Sequence, residues 1–160
     1  MTPAFERIRD AIAGDRAFML ALDGLVLGTP RSSAWYDEHL RAGHGLVAER
    51  DGVLAGFAIH HRHFFQRDFL ALLIVEPWCR RSGVATTLLQ AVEKRCTGAD
   101  LFTSTNASNQ TMRQALKKWG FRATGRIDNI DPGDPELVFV KKLSEGADFM
   151  SARQTKRGPT

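Results

Sequence analysis

A chain of 160 residues, 43% hydrophobic and 25% charged, has the composition of one soluble globular domain and the length to bury a proper core. Its two cysteines are too few for a disulfide framework. Were residues 82–96 helical, Cys79 and Cys96 would lie roughly 20–25 Å apart, so a reducing, cytoplasmic compartment is expected. The net charge of +4 suits an anionic ligand without choosing one. About half of it falls in the last residues, where Arg153, Lys156 and Arg157 stand against Asp148. Residues 146–160 are expected to be a flexible basic tail rather than a nucleic-acid arm.

The apolar run from Ala17 to Leu27 is interrupted by Asp23 and preceded by Glu6, Asp10 and Asp15. A secretory signal would carry positive charge there. No stretch is long enough to span a membrane as a helix.

In chain order, Phe5 to Arg9 opens as a strand or the start of a helix. Asp15 is a plausible N-cap for a helix over Arg16 to Leu27, closed by Gly28-Thr29-Pro30. A second helix begins at Ser32 or Ser33 and runs to Ala42. Gly45 to Arg50, Asp51-Gly52 and Val53 to Phe64 read as a β-hairpin on an Asp-Gly turn. Phe69 to Val75 is continuously apolar, as expected of a central strand covered on both faces. Leu101 to Thr105 is a further strand, and Gln110 to Lys118 a helix stopped by Gly120. Phe121 to Ile127 and Leu137 to Lys142 finish as strands around Asp131-Pro-Gly-Asp-Pro135. Strands and helices mixed in this order give an α/β sheet with helices on both faces. There are no repeats, and residues 1–145 are expected to form a single domain.

The stretch from Leu70 to Leu89 carries most of the functional information. An apolar strand stops at Pro77, a basic glycine-containing turn follows at Arg80 to Gly83, and a helix opens behind it. The first amides of a helix lack partners within it and are backed by the positive end of the macrodipole. Strand, amide-rich turn and helix N-terminus together build an anion site from backbone alone. Gly83 permits close approach of a ligand, Ala85 keeps the next position small, and Arg80 and Arg81 add forked donors suited to phosphate. Val84, Leu88, Val92 and Cys96 recur every four residues as the buried stripe of the helix. A second reading stays open at this point: a solvated strand-to-helix turn with Ser82 as its N-cap.

The motif Val75-x-Pro77 followed by Arg80-x-x-Gly83-x-Ala85 resembles the acyl-CoA pyrophosphate loop of the GNAT superfamily of N-acyltransferases. Downstream, Asn109, Leu116 and Gly120-Phe121 resemble that family's later signature, an asparagine opening a helix that ends in Gly-Phe. Arg7-Ile-Arg9, Ala11 and Asp15 are similar to its opening strand and first-helix cap. The resemblance covers about Phe5 to Leu143. It implies a mixed, mostly antiparallel central sheet with helices on both faces and a splayed central strand pair. It also implies acetyl-CoA as cosubstrate, bound by Leu73, Ile74, Val75, Arg80, Arg81, Ser82, Gly83, Val84, Ala85, Thr86 and Asn109, with the pantetheine arm pairing to backbone near Leu73 to Val75. The small polar run Thr103-Ser-Thr-Asn-Ala-Ser-Asn109 would then line a wet cleft, or be an ordinary loop in which Asn109 caps the next helix.

Two positions depart from the family pattern. Many members carry a tyrosine acid four residues before the Gly-Phe glycine, where this chain has Leu116; its one tyrosine is Tyr36. Some carry a glutamate base where this chain has Thr103. Loss of the acid costs about 2 kcal/mol at most, since a thiol of pKa ~8.5 leaves readily as thiolate near pH 7. A lysine of pKa ~10.4 needs a base far more than an α-amine near 8, which tilts the expected acceptor towards a small or weakly basic amine. Glu49, Asp68, Glu76 and the His60-His61-x-His63 cluster are candidate bases, and none earns a catalytic assignment from sequence. The histidines read as surface residues, cleft residues or metal ligands, but acyl transfer needs no metal and none is expected. The expected activity is acetyl transfer from acetyl-CoA to a primary amine of a small molecule or peptide by direct attack. A non-catalytic acyl-CoA-binding regulatory module is the alternative. Neither nucleic acid nor membrane is expected as a partner, and a homodimer is compatible with the resemblance.

Overall fold

The computed structural model describes residues 6–143. The expected basic tail at 146–160 lies outside the described residues. The described elements are β1 (Glu6–Asp10), α1 (Arg16–Leu27), α2 (Ser33–Arg41), β2 (Gly45–Arg50), β3 (Val53–Phe64), β4 (Arg67–Val75), α3 (Val84–Arg95), β5 (Asp100–Asn106), α4 (Gln110–Lys118), β6 (Arg122–Asp131) and β7 (Asp134–Lys142). Single 3-10 turns sit at Ala13–Asp15 and Pro77–Cys79. None of the described helices is long and apolar enough to cross a membrane.

Contacts divide the chain into two compact units. Residues up to 61 together with 70–95 make the first, and 62–69 with 96 onwards the second. The units are interleaved along the chain, because β3 and β4 each run through both.

In the first unit the strands lie in the order β1-β2-β3-β4. β1 and β2 are antiparallel with Ile8 opposite Ala48, and β2 and β3 are antiparallel with Val47 opposite Phe57. The β2–β3 connection is the expected Asp-Gly turn. Asp51 (φ 51°) and Gly52 (φ 81°) are both left-handed, the geometry that matches strand twist. The core gathers Met19 and Leu22 of α1, Tyr36 of α2, Val47, Phe57, Ile59, Leu72 and Ile74. Phe57 meets Tyr36 edge-on at 6.0 Å and Phe18 at 6.4 Å.

In the second unit the order is β5-β7-β6, all antiparallel, with Thr103 opposite Phe139 and Ala123 also opposite Phe139. β6 runs to Asp131, four residues beyond its expected end, and β7 starts at Asp134. The turn thus tightens to Pro132-Gly133, with Gly133 at φ 75°.

Helix ends follow local chemistry. Ser32 caps α2 by accepting from Trp35 N at 3.2 Å. Asp15 does not cap α1 with its side chain. Its carboxylate accepts instead from Ile12 N (2.8 Å) and from both Nη atoms of Arg9 (2.9 Å each). An ion pair to β1 therefore displaces the expected cap. The expectation for β4 also changes. The strand starts at Arg67, and burial alternates along it, with Asp68, Leu70, Leu72 and Ile74 buried and the residues between them half-buried. A continuous apolar run here marks one buried face and one partly covered face.

Candidate active site

Beyond Val75 the chain turns through a compact peg. Cys79 Sγ donates to the carbonyls of Ala55 (3.2 Å) and Glu76 (3.4 Å), and its amide also reaches Glu76 O at 3.1 Å. Cys79 is 2% exposed, so the turn is anchored through a side chain that water does not reach. Neither it nor Cys96 forms a disulfide.

The loop then takes two left-handed residues, Arg81 (φ 61°) and Gly83 (φ 91°), before α3 begins at Val84. Alternating hand at successive residues points backbone amides to one side, the geometry of an anion nest. The Ser82 hydroxyl donates to the Cys79 carbonyl, inside the loop. The alternative of Ser82 as the helix N-cap is therefore not what the fold uses. Arg50 Nη2 donates to the Ser82 carbonyl at 2.8 Å, tying the end of β2 to the same loop.

Thr87 is where the hydrogen bonds of α3 begin, with both its amide and its Oγ1 bonding the Gly83 carbonyl at 2.9 Å. The amides of Gly83, Val84, Ala85 and Thr86 precede that ladder and have no acceptor within the helix. Val84 turns its side chain into the core, while Arg80, Arg81 and Gly83 are exposed. A Cβ placed on Gly83 would meet no atom within 4 Å. Residues 77–87 contain no carboxylate. Orphan amides, two guanidinium groups and open space fit a pyrophosphate.

The strand leading into the loop has a defined polarity. Glu76 N donates to Ala55 O at 2.8 Å, towards β3. Backbone groups alternate edges along a strand, so those of Ile74 also face β3, and those of Leu73 and Val75 point the other way. Ile74 places its side chain in the core. Leu73 and Val75 are thus the residues of this trio whose backbone can meet a ligand.

Each residue weighed for acid–base chemistry has a definite place. Leu116 is 1% exposed and carries no proton. Tyr36 is buried and donates to Asp23 Oδ2 at 2.7 Å; burial, then this bond to a carboxylate, holds its phenol far above the ordinary range. Glu49 accepts from Arg9 Nε at 2.9 Å. Asp68 is 1% exposed and accepts from the amides of Thr97 (3.2 Å) and Gly98 (2.9 Å). Both carboxylates have structural employment. Glu76 is half-buried one residue beyond Val75.

The histidines divide. His60 is buried and His63 exposed, whereas His61 stacks on His39 at 5.4 Å. His39 Nδ1 and His44 Nδ1 are 2.8 Å apart, a hydrogen bond in which one ring donates and the other accepts. This cluster sits where β2 pairs Gly45 with Ile59. The Arg50–Val53 end that touches the loop lies about 17 Å along the strand. His61 therefore belongs with His39 and His44, not with the loop.

The polar run along the second half of β5 and into α4 is largely occupied. Thr103 and Thr105 are buried. Asn106 Nδ2 donates to Asp131 Oδ2 at 2.8 Å, and Ser108 N and Oγ donate to the Asp134 carboxylate at 3.0 and 2.5 Å. Asn109 caps α4, accepting from Met112 N at 3.1 Å. At the other end Gly120 (φ 91°) donates to Lys117 O at 3.1 Å and Phe121 to Leu116 O at 2.9 Å, a Schellman stop. The asparagine and the Gly-Phe pair are the two caps of one helix.

Arg50 and Gly56 were not singled out from sequence. Nothing local signals Arg50, since its target is distant in the chain. Gly56 carries a weak signal, a lone glycine inside a strand. A Cβ there would lie 2.8 Å from Ile74 O and 3.2 Å from Val75 Cα, so β3 can approach β4 closely only with glycine at this position.

A mostly antiparallel α/β fold with a nest of amides opening a helix is suited to an anionic ligand. The comparisons name the family. The sequence profile of the acetyltransferase (GNAT) family matches residues 16–121, and the chain belongs to that family. The crystal structure of a GNAT-family acetyltransferase from Bacillus cereus ATCC 10987 is 30% identical, with TM-score 0.79, covering 86% of this chain and 97% of that one. The ribosomal-protein-S18-alanine N-acetyltransferase of Escherichia coli is 20% identical, with TM-score 0.74 over 88% and 95% of the two chains. Arabidopsis thaliana Naa50, in complex with a bisubstrate analogue of CoA and an acetylated peptide, is 18% identical, with TM-score 0.71 over 86% and 99%. No curated protein sequence matches the chain.

Proposed function

We propose that the protein transfers the acetyl group of acetyl-CoA to a primary amine by direct attack on the thioester. The observation that carries this reading is the loop from Arg80 to Thr86, an open nest of orphan amides flanked by two arginines. In this reading the amides of Gly83 to Thr86 hold the pyrophosphate, with Arg80, Arg81 and the Ser82 turn around it. The backbone of Leu73 and Val75 orients the pantetheine arm, and an amide of that strand edge is available to the developing oxyanion.

Family membership and the acetyl-transferring neighbours support the reaction class. One of those neighbours is named a ribosomal-protein-S18-alanine N-acetyltransferase, another is solved with a bisubstrate analogue of CoA and a peptide, and one further solved structure is an N-acetylglutamate synthase with CoA and N-acetyl-glutamate bound. These names agree with an α-amine acceptor, the amine that sequence already favoured because a useful fraction is neutral near pH 7. With Glu49 and Asp68 engaged elsewhere, Glu76 is the carboxylate we assign as base for the attacking amine. Leu116 leaves the thiolate to depart unassisted or through water.

Titration calorimetry with acetyl-CoA, followed by thiol release against blocked and unblocked peptides and amino acids, tests the proposal. Binding plus turnover of α-amines is expected. Failure to bind at millimolar cofactor would overturn it, and tight binding with no transfer to any amine would favour the regulatory module.

A further inference from the structure

The β3–β4 hairpin ends in the pair Phe65-Gln66, at φ 48° and 59°. Two left-handed residues in a two-residue connection suit Asn-Gly and penalise a bulky side chain. Phe65 occupies this strained position with 82% of its surface exposed. Arg62 Nη2 holds the turn by donating to Gln66 O at 3.1 Å. Behind the tip, Phe64 stacks on Phe69 at 4.8 Å and meets Phe102 of β5 at 5.4 Å. Phe65 meets Phe64 edge-on at 5.0 Å and leaves most of its own ring to solvent.

Phe65 lines a groove of about 440 Å³ together with Phe102, Val138, Gly125 and Ile127. Ile127 is 41% exposed, and Ile130 on the same strand 57%. The charged side chains lining the groove are Arg67 and Arg126, with no acid among the lining residues. Asp128, just outside, is paired to Arg126 at 2.7 Å. β6 is the last strand of its sheet, bonded only to β7, and all ten of its residues are exposed.

We infer that this face of the second unit is a docking surface for an acidic polypeptide segment that seats a large apolar side chain against Phe65 and Ile127. Charge complementarity selects the occupant. A second copy docked groove to groove would bring further arginines to a lining that holds Arg67 and Arg126 and no acid. The chain's own basic tail, with Arg153, Lys156 and Arg157, has the wrong sign as well. A nucleic-acid strand would need several exposed stacking rings, and Phe65 is the exposed ring here. An extended peptide can use the open edge of β6 for backbone pairing and the groove for one anchor side chain.

The probe is a labelled heptapeptide with both ends blocked, phenylalanine at its centre, glutamate two positions to either side and threonine elsewhere. Its blocked N-terminus keeps it from serving as an acceptor amine. Fluorescence anisotropy with the full chain at low salt is expected to show saturable binding, and none for the version with lysine in place of glutamate. Phe65→Gly removes the ring while relieving the left-handed strain. It is expected to raise Tm and to weaken the peptide about tenfold or more. Arg67→Glu should weaken it comparably. No saturation up to about 1 mM peptide, equal binding of the lysine version, or undiminished binding by Phe65→Gly would overturn the inference. So would a dimer in sedimentation that Phe65→Gly dissolves, which would reassign the surface to a second copy. Phe65-dependent retention of a uridine oligonucleotide in place of the peptide would reassign it to RNA.

Discussion

Arg50 Nη2 donates to the Ser82 carbonyl at 2.8 Å. The bond spans 32 residues and pins the loop that opens α3 to the last residue of β2. With one carbonyl of the loop held from outside and Cys79 pegged to Ala55 and Glu76 from beneath, the amides of residues 83–86 are oriented before any ligand arrives. Preorganisation of this kind spares the ordering that binding would otherwise cost.

Gly83 tests the nest most directly. Its φ of 91° is left-handed, so Gly83→Ala should cost about 1–2 kcal/mol of strain despite the open space around it. Gly83→Glu adds a like charge where the pyrophosphate would sit and should abolish acetyl-CoA binding while leaving a folded protein. Calorimetry against circular dichroism separates the two effects. Unchanged affinity in Gly83→Glu would show that the cofactor binds elsewhere.

Glu76→Gln keeps the shape of the side chain and removes its basicity. As the assigned base, its loss should lower kcat about 100-fold and leave KM for acetyl-CoA unaltered. Steady-state kinetics with an α-amine acceptor reads both constants. An unaffected kcat would return the proton to water.

Gly56→Ala should destabilise the fold by about 1–3 kcal/mol, because the added methyl would lie 2.8 Å from the Ile74 carbonyl and backbone cannot yield there cheaply. Urea denaturation measures it. Since the clash pushes at Val75 Cα as well, acetyl-CoA affinity should fall alongside stability.

Asp15 links acidity to stability. Hydrogen bonds from Arg9 chiefly hold its carboxyl below the ordinary range. A depressed carboxyl contributes stability in full above its unfolded value, near pH 4, and loses it as pH falls through the folded value. Asp15→Asn should therefore cost about 1.5–3 kcal/mol at neutral pH and flatten the acid limb of the Tm–pH curve. A parallel downward shift at every pH would contradict this linkage.

Tyr36→Phe separates architecture from chemistry. The lost hydroxyl leaves buried Asp23 without its 2.7 Å donor, so stability should drop by about 1–3 kcal/mol. Catalysis per folded molecule should be unchanged, because this phenol is sealed in the core. A fall in kcat without a fall in Tm would restore Tyr36 as a proton donor.

The most readable features were those written in local chemistry. Asp51-Gly52 specified its turn through two left-handed residues, and Ser32 its helix start through one hydroxyl. The signature from Asn109 to Gly120-Phe121 was legible because it consists of an N-cap and a Schellman stop, each set by side chains or backbone within a few residues. Asp15 misled for the complementary reason. Its type and position suit a cap, but Arg9 on β1 competes for the same oxygens and wins with three close contacts shared with Ile12.

By itself the amino-acid order determined the strand–loop–helix, the family it belongs to and the anionic cosubstrate that family membership suggests. Those depend on glycine, proline and apolar periodicity, which act over short range. Tertiary structure alone decided which carboxylates were spoken for, which edge Leu73 and Val75 present, and that His61 belongs with His39 and His44. It alone brought Phe65 and Ile127 to the lining of one groove. These are contacts between residues far apart in the chain, and no local preference encodes a partner that only folding brings near.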